Sequence, residues 1–385
     1  MAAPLPVPDR VRVGVLGLGA VAQSIHLPLI DRLGDRFSIA AIADLSPTLV
    51  AAIGERYRVP VENRFTTLDA MLGFEGIDAL LLLTSGSHGD AILAGLDRGL
   101  AVFAEKPLAW TLAEADAIAA RLATDPSGKL QVGYMKLYDP AVVQALAVAA
   151  DVNRFGRIRS IEVSVLHPTG ERQLAHARLL PPPSDLAAET VRRLREEQDR
   201  LHSIALGSAG PALGPLYSNV VLGSIVHELA LIRAFAGDPS GIDAADVWPS
   251  ERWPPSVSVV GQLGDAARFD IRWHFLPDYP AYREELRIVS ETSTIEVEFP
   301  SPYLLHAPTE LRITELHDGG RRDTHHRSVA EAFEEELLAF HALVIDGLTP
   351  KAGLVEGRAD IVTSQRIVAC YASHAGMPIE GEAAG

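Results

Sequence analysis

Residues 11–22 read Val11-Arg12-Val13-Gly14-Val15-Leu16-Gly17-Leu18-Gly19-Ala20-Val21-Ala22. A short apolar strand ends directly in a glycine-rich turn, and a helical pattern then runs from Gln23 to Leu33. A lone G-x-G pair says little. Between a strand and a helix it has a mechanism. Gly17 permits the tight turn, Gly19 lets the backbone approach a pyrophosphate, and Ala22 takes the third small position, where the helix packs closely on the strand. The pyrophosphate then sits on the helix N-terminus, which offers N–H groups and the positive end of the helix dipole. Gly17, Leu18, Gly19, Ala20 and Val21 are therefore the expected cofactor-binding turn.

The next strand, Ser38 to Ala43, ends in Asp44. An acidic residue there suits the ribose hydroxyls of NAD and repels the 2′-phosphate of NADP. No arginine follows at once, since the next residues are Leu45, Ser46 and Pro47. NAD is the expected cofactor, ahead of NADP. Further strands are read at Ala79–Thr84, Ala101–Ala104 and Leu130–Tyr134, with helices near Asp90–Arg98 and Leu112–Ala123. This alternation predicts an α/β Rossmann domain with a doubly wound parallel sheet, whose ligand lies at the carboxyl ends of the strands. Thr84, Ser85 and His88 stand at one such end, and Glu105, Lys106 and Pro107 at the next. Both loops are expected to face the nicotinamide half of the cofactor.

A chain of 385 residues is long enough for two domains. The reading places the Rossmann domain at 1–137 and a second, α+β domain with an open, mostly antiparallel sheet at 138–385. Its strands are read at Arg157–Leu166, Ser256–Leu263, Ala267–Phe275, Glu284–Val289, Thr294–Phe299 and Glu310–Leu316. Helices follow from Val329 to about Ile345 and over Glu356–Ala372. The formal charge of −16 argues against nucleic acid as a partner. The one cysteine, Cys370, can form neither an intrachain disulfide nor a cysteine zinc cluster, and reads as a buried structural thiol. Apolar runs fall short of the ~20 residues of a membrane helix. Residues 1–10, MAAPLPVPDR, read as a Pro-stiffened tail rather than an export signal, so a cytoplasmic location with no membrane partner is expected. The histidines lack metal-ligand spacing, and His325-His326 reads as a solvated strand-to-helix loop, so no metal is expected.

Four stretches together resemble the glucose-fructose oxidoreductase / inositol dehydrogenase / rhizopine-catabolism (Gfo/Idh/MocA) family. They are VGVLGLGAVAQSIHLPLI at the start, Thr84-Ser85-Gly86-Ser87-His88, Val102-Phe103-Ala104-Glu105-Lys106-Pro107-Leu108, and VGYMKLYDP at 132–140. The second has Ser85 where the family has Pro. The resemblance implies an NAD(P)-dependent oxidoreductase acting on CH–OH groups of a sugar, cyclitol or related polyol, and a homo-oligomer, dimer or tetramer. It also implies a catalytic Lys from Glu-Lys-Pro together with an Asp and a His one helical turn apart. Lys106 matches the Lys, with Pro107 a candidate for a cis peptide bond. His227 matches the His, as the group that accepts and returns the hydroxyl proton. The Asp has no match, because Gly223 stands four residues before His227. Glu228 is adjacent but points ~100° away around a helix. The family layout further offers Lys136, Tyr138, His167, Tyr217 and Asn219 as substrate contacts. Two other readings remain open at this point. One is an enzyme that keeps NAD bound and uses transient oxidation for elimination, epimerisation or glycoside cleavage. The other is a non-catalytic sensor of NAD and a ligand.

A long stretch at about 169–217 separates His167 from the His227 helix. It holds Pro181-Pro182-Pro183, then a helical pattern with Ser184 or Asp185 as possible cap and Glu189–Arg193 and Glu196–Arg200 as i,i+4 pairs. It reads either as a solvated helical excursion or as a lid or dimer arm that brings His202 or Arg195 to the site.

Overall fold

The computed structural model describes residues 10–249, 251–264 and 266–385. Most of the tail read at 1–10 lies outside these residues. Six strands form the first sheet: β1 (Val11–Leu16), β2 (Phe37–Ala43), β3 (Arg64–Phe65), β4 (Ala79–Leu82), β5 (Ala101–Glu105) and β6 (Leu130–Gly133). Every pairing is parallel and the order is β3-β2-β1-β4-β5-β6. Side chains alternate between two cores. Val13, Val15, Leu81 and Phe103 enter one, while Leu80, Leu82, Val102 and Ala104 enter the other. Both faces are buried, as a parallel sheet requires, which is why these strands read as continuous apolar runs. Strand order reverses between β1 and β4, and that switch point opens the crevice beside the Gly17 turn.

The second sheet has eight strands: β7 (Ile158–His167), β8 (Gly241–Trp248), β9 (Ser256–Leu263), β10 (Ala267–Phe275), β11 (Arg283–Ser290), β12 (Ser293–Phe299), β13 (Glu310–His317) and β14 (Gly320–Arg327). The order is β14-β13-β12-β11-β7-β10-β9-β8; β7 and β10 run parallel and the other pairs antiparallel. One face sends Ile161, Val163, Ile271, Ile288, Ile295 and Ile313 into the core. The other carries cross-strand charge. Arg287 lies 4.0 Å from Glu162 and 3.8 Å from Glu296, and Arg312 lies 3.7 Å from Glu296 and 3.5 Å from Asp323. Such exposed pairs are worth ~0–1 kcal/mol each, but opposite charges on neighbouring strands support register.

Two edge strands, β8 and β14, escaped the sequence reading. His325 and His326 lie within β14 rather than in a loop, because β13 turns back through Asp318 and Gly319, both with positive φ. The later helices return to the first sheet. Ala332–Asp346 packs Phe340 edge-on against Phe103 at 5.6 Å, and His341 meets Phe37 at 5.5 Å. It starts after Val329, which is exposed, and Glu331 caps it. Leu354–His374 follows. Cys370 in that helix is half-buried rather than buried. The helical run 188–236 contains an 18-residue window of mean hydropathy 1.4, and 56% of that window is buried in the fold, which accounts for its apolarity.

The 169–217 stretch holds the helix Ala188–Leu206, whose last turns bury Leu201, His202, Ala205 and Leu206. Its N-cap is Ala187, without a side-chain cap, so neither Ser184 nor Asp185 serves there. The ion pairs also differ from the expected ones: Arg192 joins Glu189 and Glu196, and Arg200 joins Glu197. Arginine reaches an i−3 partner in both cases.

Phe340→Ala would open a cavity between the returning helix and the first sheet. A loss of about 3–5 kcal/mol is expected, read as a lower urea midpoint for the Rossmann domain. An unchanged midpoint would show that the helix docks without contributing to that core.

Candidate functional site

The nucleotide end is built by the turn after β1. Gly17 has φ +92°, and a Cβ there would meet Thr84 N at 2.7 Å and Leu83 C at 2.8 Å. The turn therefore seats directly against the end of β4, which only glycine allows. A Cβ on Gly19 would meet nothing within 4 Å, so this backbone borders open space, as a dinucleotide cradle requires. Ala20 is exposed and Val21 half-buried beside it, and Ala22 is fully buried. Leu18 differs from expectation. Its side chain is in the core, and its N–H donates to Asp44 Oδ2 at 2.8 Å. Asp44 Oδ1 accepts from Ser46 N–H at 2.9 Å, so the carboxylate ties the turn to the corner after β2.

The other end of the candidate site lies where β5 meets the helix that carries His227. The Lys106–Pro107 peptide is cis. Lys106 Nζ donates to the Gly223 carbonyl at 2.5 Å. Gly223 belongs to a π-helical stretch, Leu216–Ile225, where Val226 N–H reaches Val221 O, five residues back. Such stretches interrupt the ordinary carbonyl ladder and recur at functional sites. The α-helix Val226–Ala236 follows and presents His227. Its Nδ1 is buried without a partner. Burial first, then the charges of Lys106 and Lys136, hold the imidazole well below its usual pKa, so it is neutral at pH 7. Burial and Lys136 likewise lower Lys106, against the opposing pull of Glu105 and Glu228.

Beside these groups is a buried ionic cluster. Lys136 Nζ lies 2.6 Å from Glu284 Oε1 and 3.2 Å from Glu228 Oε1, and Tyr282 donates its hydroxyl to Glu284. Glu228 Oε2 is buried and unpartnered. Burial, offset in part by Lys136, pushes Glu228 up to about 7. An aromatic wall continues outward. His167 packs on Trp273 at 5.0 Å and Tyr282 at 5.8 Å, and Trp273 Nε1 donates to Ser224 Oγ at 2.9 Å. A small pocket lined in part by Lys136, Tyr282, Glu284 and Phe333 adjoins the cluster.

Several residues expected at the site have structural work instead. Glu105 accepts from His26 Nε2 at 2.7 Å in the core; burial would raise its pKa, but the His26 hydrogen bond and charge outweigh this and lower it. His88 bridges two loop carbonyls, Pro107 O at 2.7 Å and Thr84 O at 2.9 Å, and is buried. Thr84 abuts Gly17, while Ser85 is exposed beyond it. Tyr217 is fully buried and donates to Trp110 O. Tyr138 accepts from Lys351 N–H at 3.1 Å, under that lysine's ammonium. Neither tyrosine is placed for substrate. Asn219 is exposed on the π-helical stretch, and Lys136 and His167 belong to the site cluster. His202 stacks on Trp110 at 5.0 Å and Arg195 is exposed, so neither reaches Lys106. Sequence reasoning missed His26, Trp273, Tyr282, Glu284 and the part played by Glu228. Among the described residues no three acidic, His or Cys side chains converge as metal ligands.

Residues 11–134 match the model of an oxidoreductase family with an NAD-binding Rossmann fold. The matched model is that of the Gfo/Idh/MocA family. Inositol 2-dehydrogenase from Paracoccus denitrificans is 32% identical over 145 residues, which is 37% of this chain and 42% of that enzyme. Inositol 2-dehydrogenase/D-chiro-inositol 3-dehydrogenase from Lacticaseibacillus casei is 27% identical over 41% of this chain and 45% of its own length. These matches span less than half of the curated relatives. Solved structures extend the likeness of fold to both sheets. UDP-N-acetylglucosamine 3-dehydrogenase from Acidithiobacillus ferrooxidans superposes with TM-score 0.68 at 18% identity, over 94% of this chain and 98% of that one. Aldose-aldose oxidoreductase from Caulobacter crescentus gives 0.69 at 17% identity, over 95% and 98%. Within the matched residues, the glycine turn and Asp44 are joined by the Leu18–Asp44 hydrogen bond, and the Glu-Lys-Pro stretch ends β5 of the same sheet.

Glu228 also gives a pH signature. Its folded pKa of about 7 exceeds the ordinary carboxylate value, so the native state binds the extra proton and stability falls as pH rises from about 4.5 to 7. Glu228→Gln removes that loss. Relative to the parent, the variant should gain on the order of 2–3 kcal/mol between pH 5 and pH 8. Urea titrations at the two pH values measure it, and a pH-independent difference would refute the assignment.

Proposed function

We propose that this chain is an NAD-dependent oxidoreductase that moves hydride between a secondary alcohol carbon of a sugar, cyclitol or sugar derivative and nicotinamide. The observation that carries this reading is a neutral His227 and a half-buried Lys106, held by the Gly223 carbonyl, in one electrostatic neighbourhood, at the strand ends that border an open dinucleotide cradle. The Gly17–Val21 turn and Asp44 would hold the dinucleotide, which supplies a hydride acceptor or donor when bound.

In the oxidative direction the carbinol carbon gives up its hydride and the hydroxyl gives its proton to His227, whose Nε2 is the nitrogen able to meet substrate, since Nδ1 is enclosed. Lys106 orients the substrate oxygen and stabilises negative charge developing on it. In reduction the same groups return proton and hydride to a ketone. His167, Trp273 and Tyr282 offer flat faces for the C–H side of a ring, and the polar groups around Lys136 suit its hydroxyls. Lys136 and His167, rather than Tyr138 or Tyr217, are the substrate contacts proposed here.

One observation favours a variant of this chemistry. The segment before the Ala188–Leu206 helix is tied down just after the nucleotide turn, with Leu180 N–H on Gln23 Oε1 at 2.9 Å. A segment anchored beside the cradle would slow cofactor exchange, which suits transient oxidation with return of the same hydride. Copurified NAD and product formation without net NADH would identify it.

The test is a panel of polyols, sugars and sugar nucleotides with NAD or NADP, followed by absorbance of the reduced cofactor and by product analysis. Lys106→Met and His227→Asn should each lower kcat by about 10²–10⁴ while NADH affinity stays within about threefold. Because His227 titrates below the ordinary histidine range, the acid limb of the oxidation profile should lie below pH 6.5. Unchanged turnover in both variants would remove them from the mechanism.

A further inference from the structure

Ser46 stands between two carboxylates. Its N–H donates to Asp44 Oδ1 at 2.9 Å and its hydroxyl to Asp185 Oδ1 at 2.7 Å. Asp185 Oδ2 accepts from Thr48 N–H at 2.9 Å, within the first turn of the helix Pro47–Arg56. Asp44 is local to this corner. Asp185 comes from the long stretch between β7 and the His227 helix, 139 residues from Ser46.

That stretch is held in place at other points. Gln23, whose Nε2 donates to Leu18 O at 2.8 Å, accepts from Leu180 N–H. His176 Nε2 meets the Tyr303 carbonyl at 2.9 Å, and Leu180 packs on the core that includes Val13 and Val15. The segment thus runs from the glycine turn to the corner after β2, along the adenosine half of the expected dinucleotide. Hydrogen bonds from Ser46 and Thr48 hold the exposed Asp185 carboxyl down to about 2, so it is an anion at neutral pH.

In this fold a dinucleotide with its pyrophosphate on the first turn presents its adenosine ribose to the end of β2. A serine hydroxyl and a helix-start N–H are the donors a 2′-phosphate would use there. In this chain a carboxylate already occupies them. We propose that Asp185 is a second determinant of dinucleotide choice: by filling the Ser46 and Thr48 donors beside Asp44, it excludes the 2′-phosphate of NADP while leaving room for the ribose diol of NAD. This inference rests on the dinucleotide reading above.

The test measures affinities of NADH and NADPH by cofactor fluorescence on the full chain, with 5′-AMP and adenosine 2′,5′-bisphosphate as competing half-ligands. Asp185→Asn keeps the shape and removes the charge, and Asp185→Ser withdraws the side chain from both donors. The parent should prefer NADH. Both variants should bind NADPH and the bisphosphate at least tenfold more tightly, with NADH and 5′-AMP changed less than threefold. Glu189→Gln, an exposed charge change nearby in sequence, should alter neither. An unchanged NADPH affinity, or parallel weakening of both cofactors, overturns the proposal and leaves Asp185 as a tether. Failure of the parent to bind either cofactor overturns the dinucleotide reading itself, and this assignment with it.

Discussion

The buried ammonium of Lys136 joins the two halves of the molecule. Lys136 follows β6 of the parallel sheet, Glu284 lies on β11 of the second sheet, and Glu228 lies on the helix that presents His227. An ammonium removed from water without compensation costs several kcal/mol, so this contact exists only if all three elements arrive together. Burial alone would lower the Lys136 pKa; Glu284 and Glu228 outweigh it and raise it. Phe299, with its ring centroid 5.3 Å from Nζ, adds a cation–π contact. The position of His227 relative to Lys106 therefore depends on the second sheet, although no strand of that sheet carries either residue.

The same cluster sets the electrical character of the site. Two lysines lie close enough to His227 to depress its pKa, while Glu284 is committed to Lys136 and Tyr282. Glu228 lies near half-protonation at neutral pH and cannot fully offset the cations. The result favours negative charge on a bound oxygen over positive charge on the imidazole. A loosely packed, wetter site would screen these effects; here Lys136 and Glu228 are enclosed and Lys106 is half-buried.

Much of the fold was legible because its signals are local. Val13, Val15 and the glycine turn announce themselves within twelve residues, and the alternation along Ala267–Phe275 and Ser256–Leu263 gives those strands to the residue. β8, GIDAADVW, has weak strand formers, and β14, GRRDTHHR, has no apolar residue at all. Both are edge strands, ordered by pairing rather than by burial. The Asp318-Gly319 turn before β14 was the available hairpin signal. At the site, Lys106 and His227 were readable from motif and spacing. Glu284 and Trp273 were not, since each is an ordinary residue on an alternating strand until β11 and β10 flank β7, and Tyr282 lies in the loop just before β11. Tyr217 and Glu105 illustrate the converse: their positions along the chain suggested the crevice, while their side chains turn inward to Trp110 O and His26.

Gly223 shows how a missing carboxylate changes the site without dismantling it. An Asp there would have held Lys106 and also raised the imidazole pKa by one nearby charge. The Gly223 carbonyl does the first and not the second, because it accepts from Lys106 as a neutral dipole. A Cβ at this position would come within 3.1 Å of Ser218 O, so the π-helical path leaves little space for a side chain. His227 is consequently a weaker base and, once protonated, a stronger acid than one paired with a carboxylate. In the proposed chemistry the neutral imidazole is the form that accepts the hydroxyl proton, and Lys106 offsets its weakness as a base by stabilising negative charge on the substrate oxygen, which lowers that hydroxyl's own pKa.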